Sequence, residues 1–343
     1  MSYDSQIEEF QHVQTAHCEN GVTTALLRHN GLDFMTEPLA FGMGSGLFYI
    51  QIPFLTVNNG PAISFRTMPG AIFKRTCKAL GVEVKSKKFG SPESAEAFLN
   101  KKIDEHVPVG CQVGVFHLTY FPKEYRFHFN AHNIIVFGHE NGRYQLSDPT
   151  MEVVTSLSDE ELSKVRFAKG TFAPKGHIYY PEKVGIVTED MIRKGIVKGI
   201  KRNVRDMLHI PGSFAGVDGI RHTANHVRKW REKLGIKKAG LYLGQIVRMQ
   251  EEIGTGGGGF RFLYAAFLEE AAAYMQDDRL VSISEEFTRS GDMWRASAIQ
   301  MAGVYKGRLT EQKSFEDIAD RLVEIRSVEK EAFQKLSKLN LGK

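Results

Sequence analysis

The spacing of apolar positions changes character about midway along the chain, from a mixture of two periods to one. From Cys18 to His29, Val22, Ala25 and Leu26 recur at helical spacing, and the stretch stops at Asn30-Gly31, a C-cap signature. Thr36 ahead of Glu37 and Pro38 predicts a short helix over Glu37–Phe41. After the glycine-rich loop Gly42–Gly46, the run LFYIQIPFL reads as a strand. Helices are predicted over Gly70–Leu80 and, behind Ser91-Pro92, over Glu93–Glu105. Then come strands: Cys111–Tyr120 and Arg126–His139 are rich in Val, Phe and Ile, and Asn141-Gly142 predicts a tight turn into Tyr144–Ser147. Consecutive strands joined by such a turn imply an antiparallel sheet, and helices followed by a sheet imply an α+β fold.

Ser158-Asp159-Glu160-Glu161 is a capping box that opens another helix. Lys169–Lys183, punctuated by Gly170, Pro174, Gly176 and Pro181, reads as a linker. Beyond it only the helical period remains, over Val187–Leu208, Gly219–Leu234, Leu241–Glu252, Phe260–Gln276, Ile283–Lys306 and Phe315–Leu339. No fixed internal repeat is present. A chain of 343 residues exceeds what one hydrophobic core usually serves. Two domains are therefore expected, an α+β domain over 1–183 and a mostly α-helical one over 184–343.

Composition narrows the functional classes. Hydrophobic residues make up 42% and charged residues 25%, ordinary values for a globular protein. No apolar run is long enough to span a bilayer, and the opening MSYDSQIEEF is too polar for a signal peptide, so a cytoplasmic protein without membrane association is expected. Three cysteines, Cys18, Cys77 and Cys111, with no paired spacing, argue against a disulfide framework or thiolate metal site. With no HExxH pattern either, no metal is expected. The net charge is +5, but Arg193–Lys238 alone holds 13 Lys and Arg against three acids. Such a field suits an acidic partner, although solvated helix faces are the commoner reason for it. That stretch has little aromatic interleaving beyond Trp230, which speaks against nucleic acid.

Of the cysteines, Cys18 has the setting for chemistry. It opens a predicted helix, where unpaired N–H groups and the helix dipole favour the thiolate. His17, Glu19 and Asn20 make its surroundings polar. The competing reading is a buried cysteine acting as a small hydrophobe, and local sequence leaves the two level. Cys77, mid-helix near Phe73 and Leu80, and Cys111, in a valine-rich strand, read as structural. A cysteine nucleophile needs a base, and the base an orienting group. Among 12 histidines, His132 stands out because it interrupts the apolar strand FNAHNIIVFG. Asp148 ends the next strand and would face it across the hairpin. His128, His139 and Asn133 compete for these places, and a core histidine and a turn aspartate are the plainer readings of the pair.

Further residues enter as pocket candidates. The backbone N–H of Cys18 and the side chain of Gln14 are candidate oxyanion donors, with Gln11 equally near in sequence, and His17 is a candidate pocket residue. Glu37 heads a helix, where it complements the dipole or holds a cationic acceptor. Gly254–Gly259 contains five glycines and must be a loop. Gly256 and Gly257, with Arg261 at the following helix start, could cradle a phosphate, against the commoner reading of a flexible interdomain loop.

These segments carry a family resemblance. Ala16-His17-Cys18-Glu19 through Gly31, then Glu37-Pro38 and Phe41–Gly46, together with the AHNIIVFG and LSDP segments, resemble the BtrH family of butirosin biosynthesis. Phe260-Arg261, Tyr264 and Phe267–Ala271 are similar to the helical domain usually attached to it. The resemblance implies a papain-like N-terminal fold related to bacteriocin-processing cysteine peptidases, with Cys18, His132 and Asp148 on its triad positions and His17 beside the nucleophile. The activity it implies is acyl or aminoacyl transfer, in secondary-metabolite biosynthesis, from an acyl carrier protein thioester to a small-molecule amine. No cofactor is implied beyond phosphopantetheine carried by the partner, and a homodimer is compatible. A cysteine peptidase or amide hydrolase would use the same triad with water in place of the amine. A non-enzymatic binding protein on this scaffold is the remaining alternative.

Overall fold

The computed structural model describes residues 5–7, 9–57 and 59–341. In chain order its elements are β1 (Ser5–Gln6), α1 (Cys18–His29), α2 (Glu37–Met43), β2 (Leu47–Val57), β3 (Gly60–Arg66), α3 (Ala71–Ala79), β4 (Glu83–Lys87), α4 (Pro92–Asp104), β5 (Val109–Val113), β6 (His132–Glu140), β7 (Arg143–Ser147), β8 (Thr155–Ser158), α5 (Asp159–Arg166) and β9 (Ile178–Lys183). The helices α6 (Glu189–Leu208), α7 (Gly216–Val247), α8 (Arg261–Met275), α9 (Arg279–Tyr305) and α10 (Gln312–Lys338) follow. The fold is α+β with antiparallel sheets, followed by a helical region.

Contacts divide the chain into two units, 1–40 with 72–187, and 41–71 with 188–343. The segment 41–71, expected in the first domain, belongs to the second unit. The reason is local: β2 pairs with β3 as a separate two-stranded ribbon, and Tyr49, Phe65 and Phe41 bury their rings against Trp294 and Phe260.

In the first unit the main sheet runs β4-β9-β5-β6-β7-β8, with β1 added on β6. One face buries Val109, Cys111, Val113, Ile134, Val136, Leu146, Leu157 and Ile178 against Leu99 and Ile103 of α4 and Leu162 and Val165 of α5. Two of the sequence expectations fail here. The linker assigned to Lys169–Lys183 contains β9, which pairs with β4 and β5, because Ile178, Tyr179 and Tyr180 are apolar enough to be buried in spite of Pro181. The strands assigned to Cys111–Tyr120 and Arg126–His139 are shorter, ending at Val113 and starting at His132. The residues between them, aromatic but interrupted by Pro122, form short 3-10 turns instead.

Local signals otherwise act as their chemistry dictates. Ser158 and Glu161 complete a capping box on α5, Ser91 caps α4 with Pro92 in its first turn, and Thr188 caps α6. Each such cap contributes about 1 kcal/mol. Asn141 and Gly142 both take positive φ, 52° and 71°, the conformation a two-residue hairpin turn requires. In the second unit α7 is interrupted at Gly235 (φ 74°, ψ 157°), so the two helices expected there meet end to end. No described helix is long and apolar enough to cross a membrane.

Candidate active site

The hairpin turn sets the first half of the site. Ile135 faces Ser147 across the β6–β7 ladder, so Asp148 leaves β7 alongside the start of β6, diagonal to His132. His132 Nε2 meets Asp148 Oδ2 at 2.7 Å, and both residues are buried. The carboxylate is held from every side: Tyr120 donates its hydroxyl to Oδ2 at 2.9 Å, and the Thr150 N–H and hydroxyl donate to Oδ1 at 3.0 and 2.8 Å. Burial opposes the charge on Asp148, but His132 and Thr150 outweigh it and hold the carboxyl below its ordinary value. Burial and the same carboxylate keep the Tyr120 phenol protonated, so it can only donate. Phe121 packs edge-on against the imidazole, with ring centroids 5.5 Å apart.

Cys18 supplies the other half. It is the first residue of α1, whose N-cap, His17, sits in extended backbone and accepts the Asn20 N–H on Nδ1 at 3.4 Å. Its sulfur interacts with His132. Because Nε2 is committed to Asp148, Nδ1 is the nitrogen left for the thiol. The Asn133 amide nitrogen lies 3.8 Å from the same sulfur. Burial lowers the pKa of His132, yet Asp148 and the Cys18 sulfur overcome it and raise it to about 10. An imidazole that keeps its proton beside a thiol stabilises a thiolate–imidazolium pair.

Helix and hairpin are joined by close packing rather than by sequence proximity. A Cβ on Gly21 would lie 2.2 Å from Thr15 Oγ1 and 2.4 Å from Pro149 Cβ, so only glycine lets α1 approach the turn after Asp148 this closely. The Thr15 N–H donates to the Pro149 carbonyl at 2.7 Å. His12 bridges the Ser147 hydroxyl and the Met151 carbonyl at 2.7 and 3.1 Å.

The other candidates take different places. Cys77 and Cys111 are buried, and burial raises both thiols, Cys77 to about 12, which keeps them neutral. Glu37 does not present a free carboxylate to a cationic acceptor. Its Oε2 and Oε1 accept the N–H groups of Ala16 and His17 at 2.9 and 2.8 Å, fixing the backbone that leads into Cys18. Burial raises the Glu37 carboxyl above its ordinary value, opposed by those two N–H groups and by the nearby Asn20 amide, which makes no hydrogen bond of ordinary geometry. Glu19 reaches α3, where it accepts the Ile72 N–H at 2.9 Å. Gln14 is exposed on the segment before α1 and is not among the groups that touch Cys18.

The phosphate cradle expected at Gly256, Gly257 and Arg261 is not formed. Arg261 is fully buried and paired through Nε and Nη2 with both oxygens of Glu329, at 2.8 and 2.9 Å. The Gly257 N–H donates to Thr255 Oγ1 and the Gly258 N–H to the Glu251 carboxylate, so both donors already have acceptors within the protein. Nor is the loop a connection between units, since it lies wholly within the second. The basic stretch Arg193–Lys238 lies on α6 and α7, where Arg193, Lys194 and Arg202 pair with acids four residues away on the same helix.

Tyr120, Phe121, Thr150 and Asn133 escaped the sequence reading in these roles. Only Thr150 carries a local signal, since an aspartate two residues before a backbone N–H is an Asx-turn pattern. The aromatic residues come from segments with no regular period.

The proton on His132 has a consequence for stability. The folded chain holds it more tightly than an unfolded chain, in which histidine titrates near 6.5. The pair therefore stabilises the fold fully below about pH 6.5 and loses that contribution as pH rises through about 10. Urea unfolding midpoints are expected to fall over that range in the natural protein, and to fall less in His132→Gln. Equal falls in both would remove His132 as the cause.

Comparison with known proteins adds family relationships. The model described as "Domain of unknown function (DUF4872)" matches residues 160–336, more than half of the chain. That described as "Butirosin biosynthesis protein H, N-terminal" matches residues 17–149, a span that contains Cys18, His132 and Asp148. No curated protein matches the chain. A solved structure described as a C39-like peptidase from Bacillus anthracis aligns over 53% of this chain and 99% of its own, at 13% identity and a TM-score of 0.35, a level that transfers no residue role.

Proposed function

Because the chain belongs to the DUF4872 family and opens with a BtrH-like domain, we propose that it is a cysteine-nucleophile acyltransferase of a biosynthetic pathway. The observation that carries the reading is the buried Cys18–His132–Asp148 arrangement, with the cysteine at a helix start and the histidine hydrogen-bonded to the aspartate. Cys18 as thiolate attacks the carbonyl carbon of a thioester, such as one borne by an acyl carrier protein. The tetrahedral intermediate collapses as the carbon–sulfur bond to the donor breaks, and the departing thiolate takes the proton from His132. A thioester on Cys18 and a neutral imidazole remain. An amine then attacks the acyl group and loses a proton to His132, and Cys18 leaves as thiolate. Asp148 holds the ring in the required orientation throughout. The Cys18 N–H, at the first position of α1, has no partner within the helix and is available to the oxyanion. The basic faces of α6 and α7 support an acidic carrier as donor, since complementary fields speed encounter. Water in place of the amine would make the same site a hydrolase.

The test is to mix the protein with an acyl-pantetheine thioester and follow intact mass. An acyl adduct on Cys18 that decays faster with added primary amine than in buffer supports transfer. Decay at one rate into water assigns hydrolysis, and no adduct from thioester or amide removes the enzymatic reading.

A further inference from the structure

Two consecutive residues of β6 face the Cys18 sulfur from different elements of chemistry: His132 offers a proton, and Asn133 offers an amide. The orientation of that amide is decided by Tyr179 of β9. The Tyr179 hydroxyl donates to Asn133 Oδ1 at 2.7 Å, so the carbonyl end is fixed there and the NH2 end must point away from it. One hydrogen of Nδ2 goes to the Ala131 carbonyl at 3.1 Å, and the other is directed at Cys18 Sγ, 3.8 Å away. All of these groups are buried, where a directed donor has most effect on charge.

The position of Tyr179 is itself fixed by the sheet. It lies opposite Gly110 of β5, where a Cβ would come within 2.6 Å of the tyrosine ring. Glycine at this point lets the ring lie across the strand, and Phe73 closes the other side at a centroid distance of 4.7 Å. The run from Gly110 through Tyr179 and Asn133 thus ends on the sulfur.

We propose that Asn133 is a catalytic residue that holds the Cys18 thiolate by an N–H donor, with Tyr179 as the positioning residue that selects the productive orientation of its amide. The proposal rests on the nucleophilic reading of Cys18. Loss of the donor leaves the thiolate with His132 alone, and loss of the Tyr179 hydroxyl frees the amide to turn its carbonyl oxygen toward the sulfur, which repels it.

The test is the pH–rate profile of iodoacetamide labelling at Cys18, located by peptide mass, in the natural protein, Asn133→Ala, Asn133→Asp, Tyr179→Phe and the double variant Asn133→Ala/Tyr179→Phe, each checked for folding by its unfolding midpoint. Asn133→Ala is expected to slow labelling at pH 6 by about tenfold, the effect of one lost hydrogen bond to a charged group, and to move the profile to higher pH. Asn133→Asp is expected to slow it further, because a carboxylate replaces the donor. Tyr179→Phe is expected to shift the profile in the same direction by a smaller factor, and the double variant to match Asn133→Ala alone. A folded Asn133→Ala whose profile overlays that of the natural protein overturns the proposal while leaving Cys18 as nucleophile. Tyr179→Phe slowing Asn133→Ala as much as it slows the natural protein also overturns the positioning role. A Cys18 in the natural protein that labels no faster than an ordinary thiol, with no dependence on His132, overturns both this and the underlying reading.

Discussion

Replacing His132 by alanine is expected to slow alkylation of Cys18 at pH 6 by about a hundredfold, and to abolish turnover of a thioester. The magnitude follows from the chemistry of thiols. A cysteine with no cationic partner has a pKa of about 8.5, so at pH 6 well under 1% of it is thiolate, whereas one in an ion pair with imidazolium is mostly thiolate. His132 is the group that can supply this charge. It is buried beside the sulfur, and Asp148 at 2.7 Å helps raise its pKa to about 10. Asp148→Asn should act through the same route, because an amide can hold the ring but supplies no charge to favour imidazolium. Cys77 and Cys111 serve as internal controls in the same digest, since burial keeps both neutral. Labelling of Cys18 that is equally fast in the natural protein and in His132→Ala would sink the nucleophile–base assignment.

The second large effect lies in the helical unit. Glu329→Ala is expected to destabilise it by about 3–5 kcal/mol, the usual cost of leaving a buried partner charge uncompensated. Glu329 is completely buried and accepts Arg261 through two nitrogens, the Ser290 hydroxyl at 2.8 Å and the Trp294 indole N–H at 2.8 Å. Its removal would leave Ser290, Trp294 and the Nε and Nη2 of Arg261 without this acceptor, Arg261 keeping only the Gly259 carbonyl at Nη1. Arg261 is also stacked near the rings of Trp294 and Phe65, at 5.1 and 5.7 Å from their centroids, so the cation cannot swing out to water without opening the core. The double variant Arg261→Met/Glu329→Leu should be clearly more stable than Glu329→Ala, because it removes both charges together. Urea denaturation of the three proteins measures this directly. A loss under 1 kcal/mol in Glu329→Ala would mean that the site relaxes and admits water.

Arg261 also shows where sequence reading stops. A glycine-rich loop ahead of a helix that begins with arginine has the composition of an anion site, and no local property of the segment speaks against it. What removes the phosphate is Glu329, 68 positions further on. Glu37 is similar: a carboxylate at a helix start could bind a cation, but the N–H groups of Ala16 and His17, about twenty residues earlier, already occupy it. In each case a distant part of the chain decides whether a charge is free. Tyr179 reversed a different expectation, since its segment was too broken by glycine and proline to read as a strand. It is one only because β4 and β5 lie on either side of it.

The sequence by itself determined whatever depends on neighbours a few positions apart. That includes the helix opening at Cys18 and ending at Asn30-Gly31, the capping box at Ser158, the Asn141-Gly142 hairpin, and the α+β pattern followed by helices. Caps, turns and amphipathic periods are local energies, and local residues fix them. The tertiary structure alone decided that 41–71 packs with the helical unit, that Tyr120 and Thr150 hold Asp148, and that Asn133 reaches Cys18. Those outcomes depend on burial and close approach between segments far apart in the chain, such as α1 against the turn at Pro149 across Gly21. Long-range packing sets the distances on which the chemistry rests, and no periodicity in the sequence encodes them.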